Sequence, residues 1–341
     1  MIKPLTSLRF VFALMVFAAH CYEINPHFSH FLYKEGFVGV SFFFVLSGFI
    51  IAYNYQRKIE CREVSRRKFW IARFARIYPL HLATLILSLL TGGYLLAINW
   101  DTTLIFMCQL FLVHPFVPQM DYFFSFNSPS WSLGCEQLFY FLFPFLVLWL
   151  NNTRRLFGVL VMTSLIVVLG MYFTPEEQIR AYWYVNPLTR LPDFLVGMLL
   201  FQLYNKRVGD WSVNRATWFE IGAILLFVLF YYFGSAGILP KVYRYSVYYW
   251  LPVSAVLYVF AMNKGRISRF LSNKYLVIGG DISFAMYLIH LFIFELYIHT
   301  GWSFPWQVSI PALLLVTIGC SLLSYHYFEK PMNKYIRNHF K

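Results

Sequence analysis

Two adjacent stretches decide the fold: the uncharged stretch FVGVSFFFVLSGFIIAYNY at residues 37–55 and the basic stretch QRKIECREVSRRKFWIARFAR at residues 56–76. The first is long enough for a helix to cross the hydrocarbon core of a bilayer, which takes about 20 mainly apolar residues. The second is dense in Lys and Arg, which accumulate in the cytoplasmic loops of membrane proteins. Together they predict a membrane-crossing helix followed by a cytoplasmic loop.

The composition extends this prediction to the whole chain. Hydrophobic residues make up 59% of the 341 residues and charged residues 13%, against about 45–50% and about 25% in soluble domains. A soluble globule has too little interior for so much apolar surface. No Pro/Gly/Ser-rich linker or internal repeat divides the sequence. We therefore expect an all-α, polytopic membrane helix bundle that forms one domain over residues 1–341.

About ten transmembrane helices are predicted from the apolar stretches. These lie near residues 8–24, 37–55, 77–98, 131–150, 156–173, 188–204, 217–233, 247–262, 276–298 and 309–328. A shorter stretch, 103–117, is broken by His114 and Pro115. The third span leaves the membrane on the outside and the span that begins at residue 131 starts there. The stretch 103–117 is therefore predicted to be a re-entrant or interfacial segment.

The net charge of +13 is unevenly distributed along the chain. In a soluble protein such a charge suggests a nucleic-acid partner. Here the basic residues cluster in every second loop and at both termini, whereas the opposite loops hold only Lys34, Arg180, Lys241 and Arg244. The positive-inside rule therefore predicts cytoplasmic termini and a cytoplasmic 56–76 loop, and no nucleic-acid partner is expected.

Ionisable residues within the spans are the candidate functional residues, because burying them in lipid is costly. Arg9 and His20 share the first helix and lie eleven residues, or roughly 16 Å, apart on nearly the same face. Glu136, five residues into an inward-running helix, is expected at the depth of His20. Arg190 and His290 are expected in the same outer layer. A carboxylate beside an imidazole fixes its tautomer and raises its basicity, which suits a general base.

Structural explanations exist for each of these residues. An isolated intramembrane His is more often a hydrogen-bonding contact between helices. Glu136 can pair with Arg190 to hold the bundle, and Arg9 can extend towards the cytoplasmic interface. The convergence of an imidazole and a carboxylate at one depth favours chemistry over these alternatives.

Weaker signals concern metal and thiol chemistry. His27 and His30 have a metal-ligand spacing, but two ligands without partners do not make a site. The five cysteines are scattered without a CxxC pair. Cys135, beside Glu136, is interpreted as a small apolar filler, with an acyl thioester as the alternative. No metal is expected.

Several of these residues belong to a longer pattern. The sequence resembles the acyltransferase family 3 integral-membrane proteins, which acylate carbohydrates and related acceptors. The motifs that carry the resemblance are Arg9 with His20 (Arg-x10-His), the glycine- and phenylalanine-rich stretch 39–49, the basic stretch 69–79, the W-S-L-x-x-E-x-x-F-Y block 131–140, and then Arg190, Asp193, Phe194 and Gly197, Ser283, Phe284, Tyr287, Leu288 and His290, and Glu329–Lys330–Pro331. Some members carry a C-terminal extracytoplasmic domain, and this chain is expected to be a stand-alone member.

The resemblance implies transfer of an acyl group, most often acetyl, from cytoplasmic acetyl-CoA to a hydroxyl of a cell-surface glycan or its lipid-linked precursor. It places the protein in the bacterial plasma membrane. The expected partners are the acyl-CoA, the glycan acceptor and the bilayer. A transporter of a glycan or lipid intermediate is the alternative, with the intramembrane Arg, His and Glu as a relay. No paired half-sequences or matched broken helices support that alternative.

With this function the candidate residues take specific roles. His20 is expected to be the general base, or alternatively a transient acyl carrier, and Glu136 is expected to orient it. The cytoplasmic cations suit phosphate oxygens, and those assigned to the donor are Arg9, Arg73 and Arg76. The residues expected to support the site or contact the acceptor are Arg190, His290 and Tyr287.

Overall fold

The computed structural model describes residues 2–25, 28, 34–92, 99–206 and 211–340, and these residues are predominantly helical. The principal helices are α1 Lys3–Ile24, α2 Val38–Glu60, α3 Arg66–Thr91, α4 Trp100–Leu110, α5 Trp131–Trp149, α6 Thr153–Phe173, α7 Pro187–Lys206, α8 Val213–Ser235, α9 Val247–Ala261, α10 Lys274–His299, α11 Trp306–Ser324 and α12 Lys330–His339. The predicted all-α helix bundle is confirmed. His27, His30, Arg207, Lys341 and the end of the predicted span 77–98 lie outside the described residues.

Eight helical segments of the described chain are long and apolar enough to cross a membrane. They comprise α1, α2, α3, α5, α6, α8, α10 and the continuous segment Trp306–His339. The other two predicted spans correspond to α7, which carries Arg190 and Asp193, and to α9, which has 15 residues. The bundle is thus polytopic, whereas a total of ten crossings and the cytoplasmic placement of the termini stay predictions.

Helix α3 begins earlier than its apolar stretch. Ser65 caps its first turn by accepting a hydrogen bond from the Lys68 amide at 3.2 Å, a preferred arrangement at helix starts. Arg and Lys are good helix formers, so the basic stretch continues the helix instead of forming a loop. Arg73 and Arg76 therefore project from a rigid helix.

The stretch 103–117 is broken, in line with the prediction that it does not cross. Helix α4 has 11 residues and is followed by a short 3-10 turn at His114–Phe116. The segment folds against the bundle through Gln109, whose carbonyl oxygen lies 2.9 Å from His81 Nε2 and whose side chain accepts from Ser130 at 2.8 Å. The start of α5 is consequently covered, and Trp131 is only 3% exposed.

The bundle core is built around two helix pairs, α1 with α10 and α2 with α7. In the second pair the backbones are in direct contact. A β-carbon on Gly48 would collide with the Phe194 carbonyl oxygen, and one on Gly197 with the Val45 carbonyl oxygen. Small residues permit this close approach between membrane helices.

The C-terminal helices pack against α3. A π-helical turn, Tyr325–Glu329, joins α11 to α12, and α12 packs beside α3. This turn brings Glu329 to Arg76, with 3.5 Å between the carboxylate oxygen and the guanidinium nitrogen. The end of the chain thereby reaches a residue of the candidate donor site.

Candidate active site

A cavity of about 530 Å³ opens where α1 ends and α2 begins. We call it the His20 cavity. Besides His20, its wall includes the aromatic rings of Trp131, Tyr184 and Tyr287. The polar and aromatic lining is typical of a binding site for a small polar molecule.

His20, in the wall of this cavity, contacts His290 and not Glu136. His20 Nδ1 lies 2.9 Å from the Val16 carbonyl oxygen and 3.3 Å from His290 Nε2. His290 Nδ1 in turn lies 3.0 Å from the Met286 carbonyl oxygen, and the residue is 1% exposed. Helices α1 and α10 thus present two imidazoles to each other.

These contacts determine where the ring protons lie. A carbonyl oxygen only accepts hydrogen bonds, so Nδ1 of each neutral ring must carry the proton. His290 Nε2 is then an acceptor for the Nδ1–H group of His20. His20 Nε2 keeps its lone pair, and among the described residues no side chain or backbone group hydrogen-bonds to it. This is the protonation state that a general base requires.

A second cavity, of about 310 Å³, lies towards the other end of the bundle. We call it the Glu136 cavity. It is lined by the start of α1 and by parts of α2, α3, α5 and α10. Its charged side chains are Arg9, Arg73, Arg76 and Glu136. The structure therefore brings the three predicted donor-site arginines together around one cavity.

The charges of the Glu136 cavity are only partly neutralised. Arg76 pairs with Glu329 at 3.5 Å. Arg73 contacts the Tyr55 hydroxyl at 3.3 Å. Glu136 interacts with the Tyr140 hydroxyl, and Arg9 forms no ion pair with any residue that the structure describes. The lining of the cavity thus carries three guanidinium groups and one carboxylate, and two further carboxylates lie outside the lining, Glu329 near Arg76 and Asp281 near Arg9.

The two cavities adjoin each other and a third. Tyr287 and Val40 line both the His20 cavity and the Glu136 cavity. A cavity of about 550 Å³ beside α12 shares Arg73 and Asn54 with the Glu136 cavity, and it adds the cations Lys58, Lys68 and Arg337. Through these shared residues the three cavities form a series from the cations beside α12 to His20.

The predicted pairing of Glu136 with His20 is not formed. The prediction placed the start of α5 at the membrane surface, but residues 114–130 cover that start. Pro129 and Trp131 already line the His20 cavity. Five residues of helix advance the chain by roughly 7.5 Å, which carries Glu136 into the next cavity. The tautomer of His20 is fixed by the Val16 carbonyl group.

Arg190 is predicted to support the site or to contact the acceptor, and the structure places it in the protein interior. It is 0% exposed and lines none of the three cavities. It pairs with Asp193 at 3.1 Å, donates to Ser41 Oγ at 2.8 Å and also donates to the Tyr245 carbonyl oxygen. Arg190 therefore ties α7 to α2 and to the segment before α9, and its partner is Asp193 instead of Glu136.

Sequence reasoning assigned no role to several residues that the fold brings to these cavities. Glu329 was noted only as part of a motif, and Arg180 and Lys241 only as the few basic residues of the opposite loops. Tyr184 carried no signal. Arg180 and Lys241 line the His20 cavity. The sequence signal for this role is that they are two of only four basic residues in the loops on their side of the bundle.

Thiol chemistry has no geometric support at Cys135. Its Sγ donates to the Val185 carbonyl oxygen at 3.3 Å, and the residue is buried and lines no cavity. This is the environment of a packing cysteine. In the part of the chain that the structure describes, no group of three or more His, Cys, Asp or Glu side chains is arranged to hold a metal ion.

Comparison with known proteins matches this architecture to one family. The family model described as an acyltransferase domain matches residues 3–326. Acyltransferase MdmB of Streptomyces mycarofaciens is 28% identical over 95% of this chain and 88% of its own length. O-acetyltransferase OatA of Staphylococcus aureus is 25% identical over 88% of this chain and 53% of its own. Putative peptidoglycan O-acetyltransferase YrhL of Bacillus subtilis is 27% identical over 94% and 53%.

The chain spans about half the length of OatA and YrhL and most of the length of MdmB. No solved structure matches it. The family model covers nearly the whole helical bundle, including every lining residue of the His20 cavity and all but Ile2 of the Glu136 cavity. The chain therefore belongs to the acyltransferase family, as a membrane-embedded acyltransferase of the multi-pass bacterial type.

Proposed function

We propose that this protein transfers an acetyl group from cytoplasmic acetyl-CoA to a hydroxyl of a cell-surface glycan or its lipid-linked precursor. The observation that carries the proposal is the series of cavities, linked by shared lining residues, from the cations beside α12 to His20. Relatives named as O-acetyltransferases, one of them a putative peptidoglycan O-acetyltransferase, support the same reaction type.

The donor would lie along the two basic cavities. Its phosphates suit the cations of the cavity beside α12, namely Lys58, Lys68 and Arg337, together with Arg73. The thin pantetheine arm would then extend past Arg9 through the Glu136 cavity and bring the thioester to Tyr287. Arg side chains bind phosphate oxygens through paired hydrogen bonds. In this arrangement Glu136 orients Arg9 and Tyr140 and limits the repulsion among the arginines.

His20 would perform the proton transfer. Its Nε2 takes the proton of the acceptor hydroxyl as the hydroxyl oxygen forms a bond to the acetyl carbonyl carbon. The carbon–sulfur bond of the thioester breaks, and the leaving thiolate receives the proton from His20. His290 holds the His20 ring in place by accepting from its Nδ1–H group. The products are the acetyl ester and free CoA, and His20 returns to its starting state.

The proposal is tested with purified protein in detergent, which lacks any membrane gradient. We expect transfer of radiolabel from acetyl-CoA to extracted surface glycan, and a loss of about 10²–10⁴-fold in His20→Ala, the usual contribution of a general base. His299→Ala is a matched control, because His299 Nδ1 also bonds to the carbonyl oxygen four residues before it but the side chain is exposed. Activity that survives in His20→Ala would remove His20 from the mechanism. No acetylation in detergent, combined with movement of the glycan or lipid intermediate across sealed proteoliposomes that contain the same protein, would favour the transporter alternative.

A further inference from the structure

The rim of the His20 cavity carries positive charge without matching negative charge. Four cations line the cavity: Lys34, Arg180, Lys241 and Arg244. Two carboxylates, Glu23 and Glu35, also line it.

One cation of the four is fully neutralised. Arg244 is paired with Glu35, and the same carboxylate accepts a hydrogen bond from Tyr249 at 2.6 Å. Glu35 is 0% exposed and is therefore committed to this internal contact. Only Glu23 remains as a negative charge for the other three cations.

Neither Arg180 nor Lys241 has a carboxylate partner in the described part of the chain. Lys34 has none either, but its ammonium group donates to the Ser235 carbonyl oxygen at 3.5 Å. Their neighbours are aromatic: the Arg180 guanidinium lies 5.2 Å from the Phe124 ring centroid, and the Lys241 ammonium 5.8 Å from that of Tyr245. The segment 29–33 contains no Asp or Glu. Partial removal from water, and then the positive charge of Arg180, lower the pKa of Lys241 below its ordinary value. Two nearby cations in this position favour a bound anion.

Aromatic rings complete the cavity. Trp131 and Tyr184 lie with their ring centroids 4.7 Å apart, and both line the wall. Apolar faces combined with a few convergent charged groups are the usual construction of a small-molecule site. The faces suit the apolar side of a sugar ring, and the cations suit an anionic substituent on the same molecule.

We propose that the acceptor bound in the His20 cavity is an anionic glycan, whose carboxylate or phosphate group is held by Arg180 and Lys241. This inference rests on the proposed function for the identity of the acceptor as a glycan. The anionic group anchors the acceptor at the rim, and a hydroxyl of the same molecule reaches His20 Nε2. A uronic acid and a sugar phosphate present the same chemistry to these two cations.

The test compares acceptors that differ only in charge, with protein in lipid nanodiscs. The four acceptors are a glucuronate-containing disaccharide, its methyl ester, a glycosyl phosphate and the corresponding methyl glycoside. Binding is measured without donor, and acetyl transfer is measured separately with radiolabelled acetyl-CoA. We expect at least one charged acceptor to bind about tenfold or more tightly than its neutral counterpart, as for a hydrogen bond to a charged group. The charged acceptor that binds more tightly than its neutral counterpart shows whether the carboxylate or the phosphate is the group recognised.

Variants connect the preference to the two cations. Arg180→Gln and Lys241→Gln are each expected to remove most of it, whereas Arg180→Lys retains part because the charge stays. Arg154→Gln is the matched control, since Arg154 is exposed and lines no cavity. Both glutamine variants change residues outside the long helices, and size-exclusion profiles verify that they fold.

The outcomes separate the inference from the proposed function. Equal binding of charged and neutral acceptors, no binding of either charged acceptor at millimolar concentration, or a preference unchanged in both glutamine variants would overturn the anionic site. Acetylation without charge preference would leave the proposed function standing and remove this inference. A charge preference in binding without any acetylation would support the anion site and overturn the proposed function.

Discussion

At the scale of single residues, the decisive contact is between two histidines. His290 is almost completely buried and accepts from the Nδ1–H group of His20, so it acts by positioning the base. His290→Gln retains an acceptor oxygen near this position, whereas His290→Leu does not. We expect kcat for acetyl transfer to fall further in His290→Leu than in His290→Gln, with the KM for acetyl-CoA nearly unchanged in both.

The contrast between these two variants distinguishes positioning from simple packing. Leucine restores the apolar volume, so a packing role predicts that His290→Leu is at least as active as His290→Gln. If His290→Leu is at least as active as His290→Gln, and both variants have the same thermal unfolding midpoint, the hydrogen bond to His20 has no part in the reaction.

Arg9 and Arg73 are the arginines of the Glu136 cavity that form no ion pair within the described residues, and Arg9 is the one farther along the proposed path of the donor. It lines the Glu136 cavity and has no ion pair among the described residues, whereas Arg76 is paired with Glu329. The pantetheine arm passes Arg9 in the proposed arrangement, and lysine keeps the charge there but loses the planar guanidinium group with its five N–H donors. We expect Arg9→Lys to raise the KM for acetyl-CoA about ten- to a hundredfold, the range for a hydrogen bond to a charged group.

The control for Arg9 is Arg67→Lys, because Arg67 is exposed and lines no cavity. Steady-state kinetics with varied acetyl-CoA at saturating acceptor give the comparison. An unchanged donor KM in Arg9→Lys, together with a raised KM for the acceptor, would place Arg9 outside the donor site.

At the scale of helices, the contact between α2 and α7 sets the position of the site. Gly48 touches the backbone of α7 so closely that any side chain must separate the helices. Overpacking of this kind typically costs about 1–3 kcal/mol. We expect Gly48→Ala to lower the thermal unfolding midpoint in detergent and to reduce acetyl transfer, because α2 lines all three cavities.

Gly222→Ala on α8 is the matched comparison. A β-carbon there meets nothing within 4 Å, and alanine is the better helix former. Its unfolding midpoint should be unchanged or slightly raised. If both alanine variants unfold at the same temperature, the α2–α7 contact does not limit stability.

At the scale of the whole molecule, hydropathy predicted most helices because a long apolar run of this kind crosses lipid as a helix. It failed where polar residues continue a helix, as in the first turns of α3, since propensity and the Ser65 cap extend that helix through Arg73 and Arg76. It also did not reveal that residues 114–130 cover the start of α5. Such a tertiary contact leaves no periodic trace in the sequence.

The candidate site was predictable to the extent that it depends on helix periodicity. The depth of His20 relative to His290 follows from their positions on α1 and α10, and the two rings meet. The depth of Glu136 depended on where α5 enters the membrane, and that depended on the covering segment. The role of the Val16 carbonyl group was invisible because every helical residue offers the same backbone acceptor four positions away.

Donor and acceptor are expected to enter from opposite ends of the bundle and to meet at His20. Proteoliposomes with radiolabelled acetyl-CoA on one side and glycan acceptor on the other test it most directly, with orientation determined by labelling Cys61, an exposed residue between α2 and α3. We predict transfer only when acetyl-CoA is on the side of Cys61, and none in His20→Ala although the variant still binds acetyl-CoA. Equal transfer with acetyl-CoA supplied from the opposite side, or normal transfer by His20→Ala, would contradict the account.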